Sequence, residues 1–121
     1  MGQYDIRARS TETFGRVLCS CRNHHFVVDG PVPNGCPGEA VTPAEVFLAG
    51  VAACGVELMQ VIAKGENLPL KAVSVQISGT LDPNNRVRPD VNLFNAVRLQ
   101  FLLQGINREQ GAQLVTTFKG R

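Results

Sequence analysis

The 121-residue chain has no long unbroken apolar run, no block of like charge and no export-type leader, and each absence narrows what it can be. Its longest apolar run is well short of the roughly 18 to 20 residues that span a bilayer, and Met1-Gly2-Gln3-Tyr4-Asp5-Ile6-Arg7 contains no apolar stretch of the signal-peptide kind. A soluble, cytoplasmic protein is expected. The net charge is only +2 and comes from dispersed Lys and Arg, which argues against nucleic acid as a partner. Internal repeats and low-complexity tracts are missing too. The four cysteines, Cys19, Cys21, Cys36 and Cys54, form no C-x2-C knuckle, and without an export signal free thiols are the default. The length suits one compact domain.

What is present centres on Thr42-Pro43-Ala44-Glu45 followed by Val46 to Cys54. Thr42 suits an N-cap, Pro43 the first helical position, and Glu45 completes a capping box. No charged or strongly polar side chain occurs from Val46 to Val56, while Gly50, Ala52, Ala53 and Gly55 let other backbones approach. Gly65 is a natural stop, giving a helix of about 22 residues, or roughly 33 Å. So apolar a helix is not expected at a surface. A monomer of this size has difficulty wrapping it on all sides, so a second subunit is expected to help.

Around this helix the chain reads as strands, with one further helix at its end. Tyr4 to Arg9 and Gly15 to Cys21 alternate like an antiparallel strand pair, and His25 to Val28 forms a short third strand. A Pro/Gly-rich loop, Asp29 to Val41, then leads to the central helix and is long enough to be functional. Lys71 to Gly79 and Asn95 to Gln104 are expected to pair, separated by the turn Asp82-Pro83-Asn84-Asn85. Asn107 caps a final helix, Arg108 to Lys119. The group Cys19, Cys21, His24, His25 and Cys36 invites comparison with a zinc site. However, His24 and His25 point to opposite faces of an extended segment, so strand packing is the better reading. The loop lacks the GK[ST] end of a phosphate cradle.

Val27-Val28-Asp29-Gly30-Pro31, the loop, Thr42-Pro43-Ala44-Glu45, Ala52-Ala53-Cys54 and the strand Val73 to Gly79 together resemble the OsmC/Ohr proteins, named for osmotically inducible protein C and organic hydroperoxide resistance. The resemblance runs over nearly the whole chain. It implies an α+β fold, one OsmC-like domain over residues 1–121, with antiparallel sheets around a long buried central helix in an intertwined homodimer. In that family a resolving cysteine follows the last helix, so either a further segment follows Arg121 or the protein works without that thiol. The implied function is a cysteine-based thiol peroxidase that reduces organic hydroperoxides in oxidative stress defence. No metal or organic cofactor is implied, and a dithiol serves as reductant. The alternative is a non-enzymatic binding or redox-sensing dimer; a structural zinc protein is a third reading.

On that resemblance Cys54 is the attacking thiol. Burial among apolar residues would raise its pKa, so a cation is needed to favour the thiolate. One guanidinium at about 4 Å, at an effective dielectric near 20, contributes about 4 kcal/mol. The resemblance points to Arg16 of Gly15-Arg16, with Arg22 in reserve; an ordinary surface arginine remains the other reading of Arg16. Glu45 has two readings, holding that arginine across a dimer or closing the capping box. Nine residues from Cys54, it lies on the opposite side of a straight helix, roughly 13 Å along the axis. Peroxide-reducing relatives carry Glu where this chain has Ala44. Cys36 is a second candidate for resolving Cys54, and Phe14, Phe47 and Val51 for lining its surroundings.

Overall fold

The computed structural model describes residues 2–86 and 94–120. They fall into two compact units that divide between Phe47 and Leu48, inside the long helix.

The first unit is an antiparallel meander of β1 (Arg7–Ser10), β2 (Arg16–Cys21) and β3 (His24–Asp29) in the order β1-β2-β3. The expected strand from Tyr4 starts only at Arg7, because β1 pairs with β2 from Arg7↔Ser20 to Ser10↔Val17 and a strand needs a ladder to exist. A two-residue turn, Arg22-Asn23, joins β2 to β3, with Arg22 at φ 53°. The register pairs Val17 with Val28 and Cys19 with Phe26, so one face is apolar; the other carries Arg7, Arg9, Leu18, Ser20, His25 and Val27. After β3 the loop makes a short 3-10 turn, Val32–Asn34.

The long helix, α1 (Pro43–Gly65), matches the sequence expectation to within a residue. In the second unit it is followed by β4 (Ala72–Thr80), β5 (Ala96–Gln104) and α2 (Arg108–Lys119). β4 and β5 pair antiparallel, with Val73↔Leu103, Val75↔Phe101 and Ile77↔Leu99 sharing the inner face. Met59, Ile62 and Ala63 of α1 and Leu114 of α2 are buried together against Val73, Phe101, Leu103 and Phe118. Gly55 permits this approach: a Cβ there would sit 3.3 Å from the Phe101 ring. Asn107 caps α2 with both halves of a capping box, as its sequence indicates.

A single chain buries one side of α1. Within the chain only Gly55, Met59, Ile62 and Ala63 are buried, while Ala49, Gly50, Ala53, Cys54 and Val61 are exposed. One two-stranded sheet and one short helix cover a single stripe of a helix and leave the rest open. Mean hydropathy over an 18-residue window of α1 reaches 2.0, so by length and composition it could cross a membrane, which counting unbroken apolar residues did not register. A core helix meets the same criterion.

Candidate functional site

Cys54 is placed by packing on the far side of its own helix. Gly55 lies against Phe101, and Met59 and Ile62, one and two turns on, enter the core. That fixes the rotation of α1 and turns Cys54 outward, where it is exposed in the single chain. Along the same side run Gly50, Glu57 and Val61, the last 51% exposed.

At the start of α1 the Glu45 half of the expected capping box forms. Glu45 Oε1 accepts hydrogen bonds from the Thr42 amide at 2.9 Å and the Thr42 hydroxyl at 2.8 Å. The amide, then the hydroxyl, lowers the Glu45 pKa from its ordinary value.

Arg16 stands at the start of β2, opposite Asp29 at the end of β3. Its Nε donates to Asp29 Oδ1 at 2.8 Å and its Nη2 to Asp29 Oδ2 at 2.9 Å, a two-pronged pair; Nη2 also donates to Glu39 at 3.0 Å. Asp29 is wholly buried and accepts further hydrogen bonds from the Glu39 and Ala40 amides at 3.0 and 2.8 Å. Arg16 chiefly, and then those amides, hold the Asp29 carboxyl far below the usual carboxylate range against the cost of desolvation. Arg16 is raised in turn by hydrogen bonds to Asp29 and Glu39.

This cluster ties down the loop after β3. Gly30 N–H donates to the Gly15 carbonyl at 2.8 Å and Gly38 N–H to that of Gly30 at 3.1 Å. Cys36 is seated between these strand ends, where a Cβ on either Gly15 or Gly30 would overlap its sulfur. Gly15 also adopts φ 81°, which favours glycine.

Arg22 lies at the opposite end of β2 from Arg16. Cys21 pairs with His24, and Ser20 Oγ bonds His25 Nδ1 at 2.9 Å, so the two histidines do face opposite ways. Among the site residues selected from sequence, the structure ties Arg16 to Asp29 and Glu39, Glu45 to Thr42, and leaves Cys54 on open helix surface. Asp29 and Glu39 were missed. The available signal was Asp29 itself, a carboxylate closing the run Val27-Val28 and therefore in need of a buried partner.

A three-stranded meander, a two-stranded antiparallel sheet and a long central helix define an α+β protein. Its particular architecture is the OsmC-like fold. An OsmC-like protein from Mycoplasma pneumoniae superposes with a TM-score of 0.83 at 15% identity, over 99% of this chain and 82% of that one. An organic hydroperoxide resistance protein OsmC from Legionella pneumophila, also described as a predicted redox protein, matches with a TM-score of 0.75 at 23% identity, over 98% and 82%. An organic hydroperoxide resistance protein from Elizabethkingia anophelis with thiocyanate bound gives 0.78 at 16%, over 98% and 81%. No protein-family model matches the sequence, and no curated protein matches it.

Proposed function

We propose that this chain is a member of the OsmC/Ohr family acting in oxidative stress defence, as a homodimeric, cysteine-based peroxidase for organic hydroperoxides. The observation that carries the reading is Cys54, a thiol presented on the open side of the central helix in a fold shared with organic hydroperoxide resistance proteins. The Cys54 thiolate attacks one oxygen of the O–O bond. An S–O bond forms, the O–O bond breaks, and the departing alkoxide takes a proton to become the alcohol. Cys54 is left as a sulfenic acid, oxidised by two electrons. A dithiol reductant condenses with it, releasing water and forming a mixed disulfide; its second thiol then displaces Cys54 and leaves as a disulfide.

Arg16 is the proposed cation favouring the thiolate; Asp29 and Glu39 hold its guanidinium in place and offset its charge. The proposed dimer covers the open side of α1, where Ala49, Gly50, Ala53 and Val61 otherwise meet water. Glu45 is proposed to set the start of this helix.

The test is peroxide consumption with a dithiol donor, comparing cumene hydroperoxide with hydrogen peroxide. Turnover of the organic peroxide is expected in the wild type and its loss in Cys54→Ser. Equal turnover by the mutant, or none by the wild type, would reject the reading. Ala44, where peroxide-reducing relatives carry Glu, favours a second reading, a redox-sensing dimer; in that case Cys54 is oxidised once without turnover.

A further inference from the structure

The polar face of the first sheet carries a feature that chemistry at Cys54 does not use. Cross-strand partners Arg7 and Ser20, Arg9 and Leu18, and Ser20 and His25 share this face. Together with Arg22 they line a cavity of about 540 Å³. A second hollow, of about 310 Å³, shares Arg7, Ser20 and Arg22 and has Asp5 on its wall.

None of the three arginines forms an ion pair among the described residues. Residues 1–47 contain five carboxylates: Arg16 engages Asp29 and Glu39, Glu45 bonds Thr42, and Asp5, bonded to Gln3 at 3.4 Å, is the one carboxylate lining the second hollow, where it forms no ion pair with Arg7 or Arg22. The fifth, Glu12, lies in the turn at the other end of the sheet from Arg22. Three guanidiniums on one face repel each other, and a dianion among them turns that repulsion into attraction.

The choice of side chain is informative. All four cations of residues 1–47 are arginine and none is lysine, and a planar guanidinium matches the oxygen pairs of a phosphate. Arg22 reaches the cavity from a backbone at φ 53°, where glycine would sit without strain. Ser20 supplies a hydroxyl and Leu18 an apolar floor.

We propose that this face binds a small phosphorylated organic molecule, its phosphate held by Arg7, Arg9 and Arg22 and its organic part lying over Leu18. Calorimetric titration of the full chain at low salt with AMP, adenosine and inorganic pyrophosphate tests it. AMP is expected to bind and adenosine not, with AMP tighter than pyrophosphate because of its organic part. The double variant Arg7→Gln/Arg9→Gln should weaken AMP at least about tenfold. Arg22→Gly suits the turn, so it should weaken AMP about tenfold with no fall in thermal stability. Arg98→Gln, on β5, should change nothing. Equal binding of AMP and adenosine, undiminished affinity in the arginine variants, or no AMP binding would overturn the proposal. Tighter binding of a single-stranded oligonucleotide without a terminal phosphate, through the same arginines, would overturn it in favour of nucleic acid.

Discussion

Asp29 has no contact with water, yet it is charged, and the groups around it explain both facts. Arg16 and two loop amides supply four hydrogen bonds to its two oxygens. Because the carboxyl is depressed in the folded protein, the unfolded chain binds its proton at higher pH. The stabilisation is therefore complete above the unfolded value near 4 and is lost as the pH falls through and below it. Asp29→Asn should lower the melting temperature at pH 7 and flatten its decline between about pH 4 and pH 2. Thermal unfolding monitored by circular dichroism across that range checks both. At the same scale, Arg16→Ala should slow alkylation of Cys54 at neutral pH if Arg16 favours the thiolate, whereas an unchanged rate would leave Arg16 only as the partner of Asp29. The need for such a partner was legible in Asp29 following two valines; its identity was not, because Arg16 is 13 residues away and meets it only through the β2–β3 register.

The individual elements were the most legible. Thr42-Pro43-Ala44-Glu45 and Asn107 with Gln110 mark helix starts through contacts within four residues, and both helices begin there. Asn107→Ala should cost about 1 kcal/mol of stability, read from denaturant unfolding, because it frees the Gln110 amide. The loop after β3, marked in the sequence only by its length and its Pro and Gly content, is pinned by Asp29, Gly30 and Cys36. Its pinning depends on space for the Cys36 side chain. Gly15→Ala should destabilise the first unit through both overlap with Cys36 and a φ of 81°, by roughly 1 to 3 kcal/mol, and Cys36→Ala should restore part of that loss. No local sequence signal marked this seat, since Gly15, Gly30 and Cys36 come together only after the meander forms.

At the scale of the whole molecule, the open side of α1 is where the proposed dimer is tested. Val61 is half exposed and lies away from the core that Met59 and Ile62 fill, so Val61→Glu should leave the fold of the chain unchanged. If two copies cover that side, the same change buries a charge and should shift sedimentation from dimer to monomer at micromolar concentration. Met59→Ala acts on the other side: removing a fully buried side chain should cost about 2 to 5 kcal/mol whatever the assembly state.

The sequence by itself determined both helix starts and the pairing of β4 with β5, which rest on periodicities and short-range hydrogen bonds, while the OsmC/Ohr resemblance and the α+β class it implies rest on motifs such as Thr42-Pro43-Ala44-Glu45 and Ala52-Ala53-Cys54. Only the tertiary structure decided which side of α1 is buried, and with it the exposure of Cys54. A helix apolar almost all round does not mark its inner face; the packing of Gly55 against Phe101 does. The gathering of Arg7, Arg9 and Arg22 on one face follows from strand register, a long-range property that no single stretch of sequence contains.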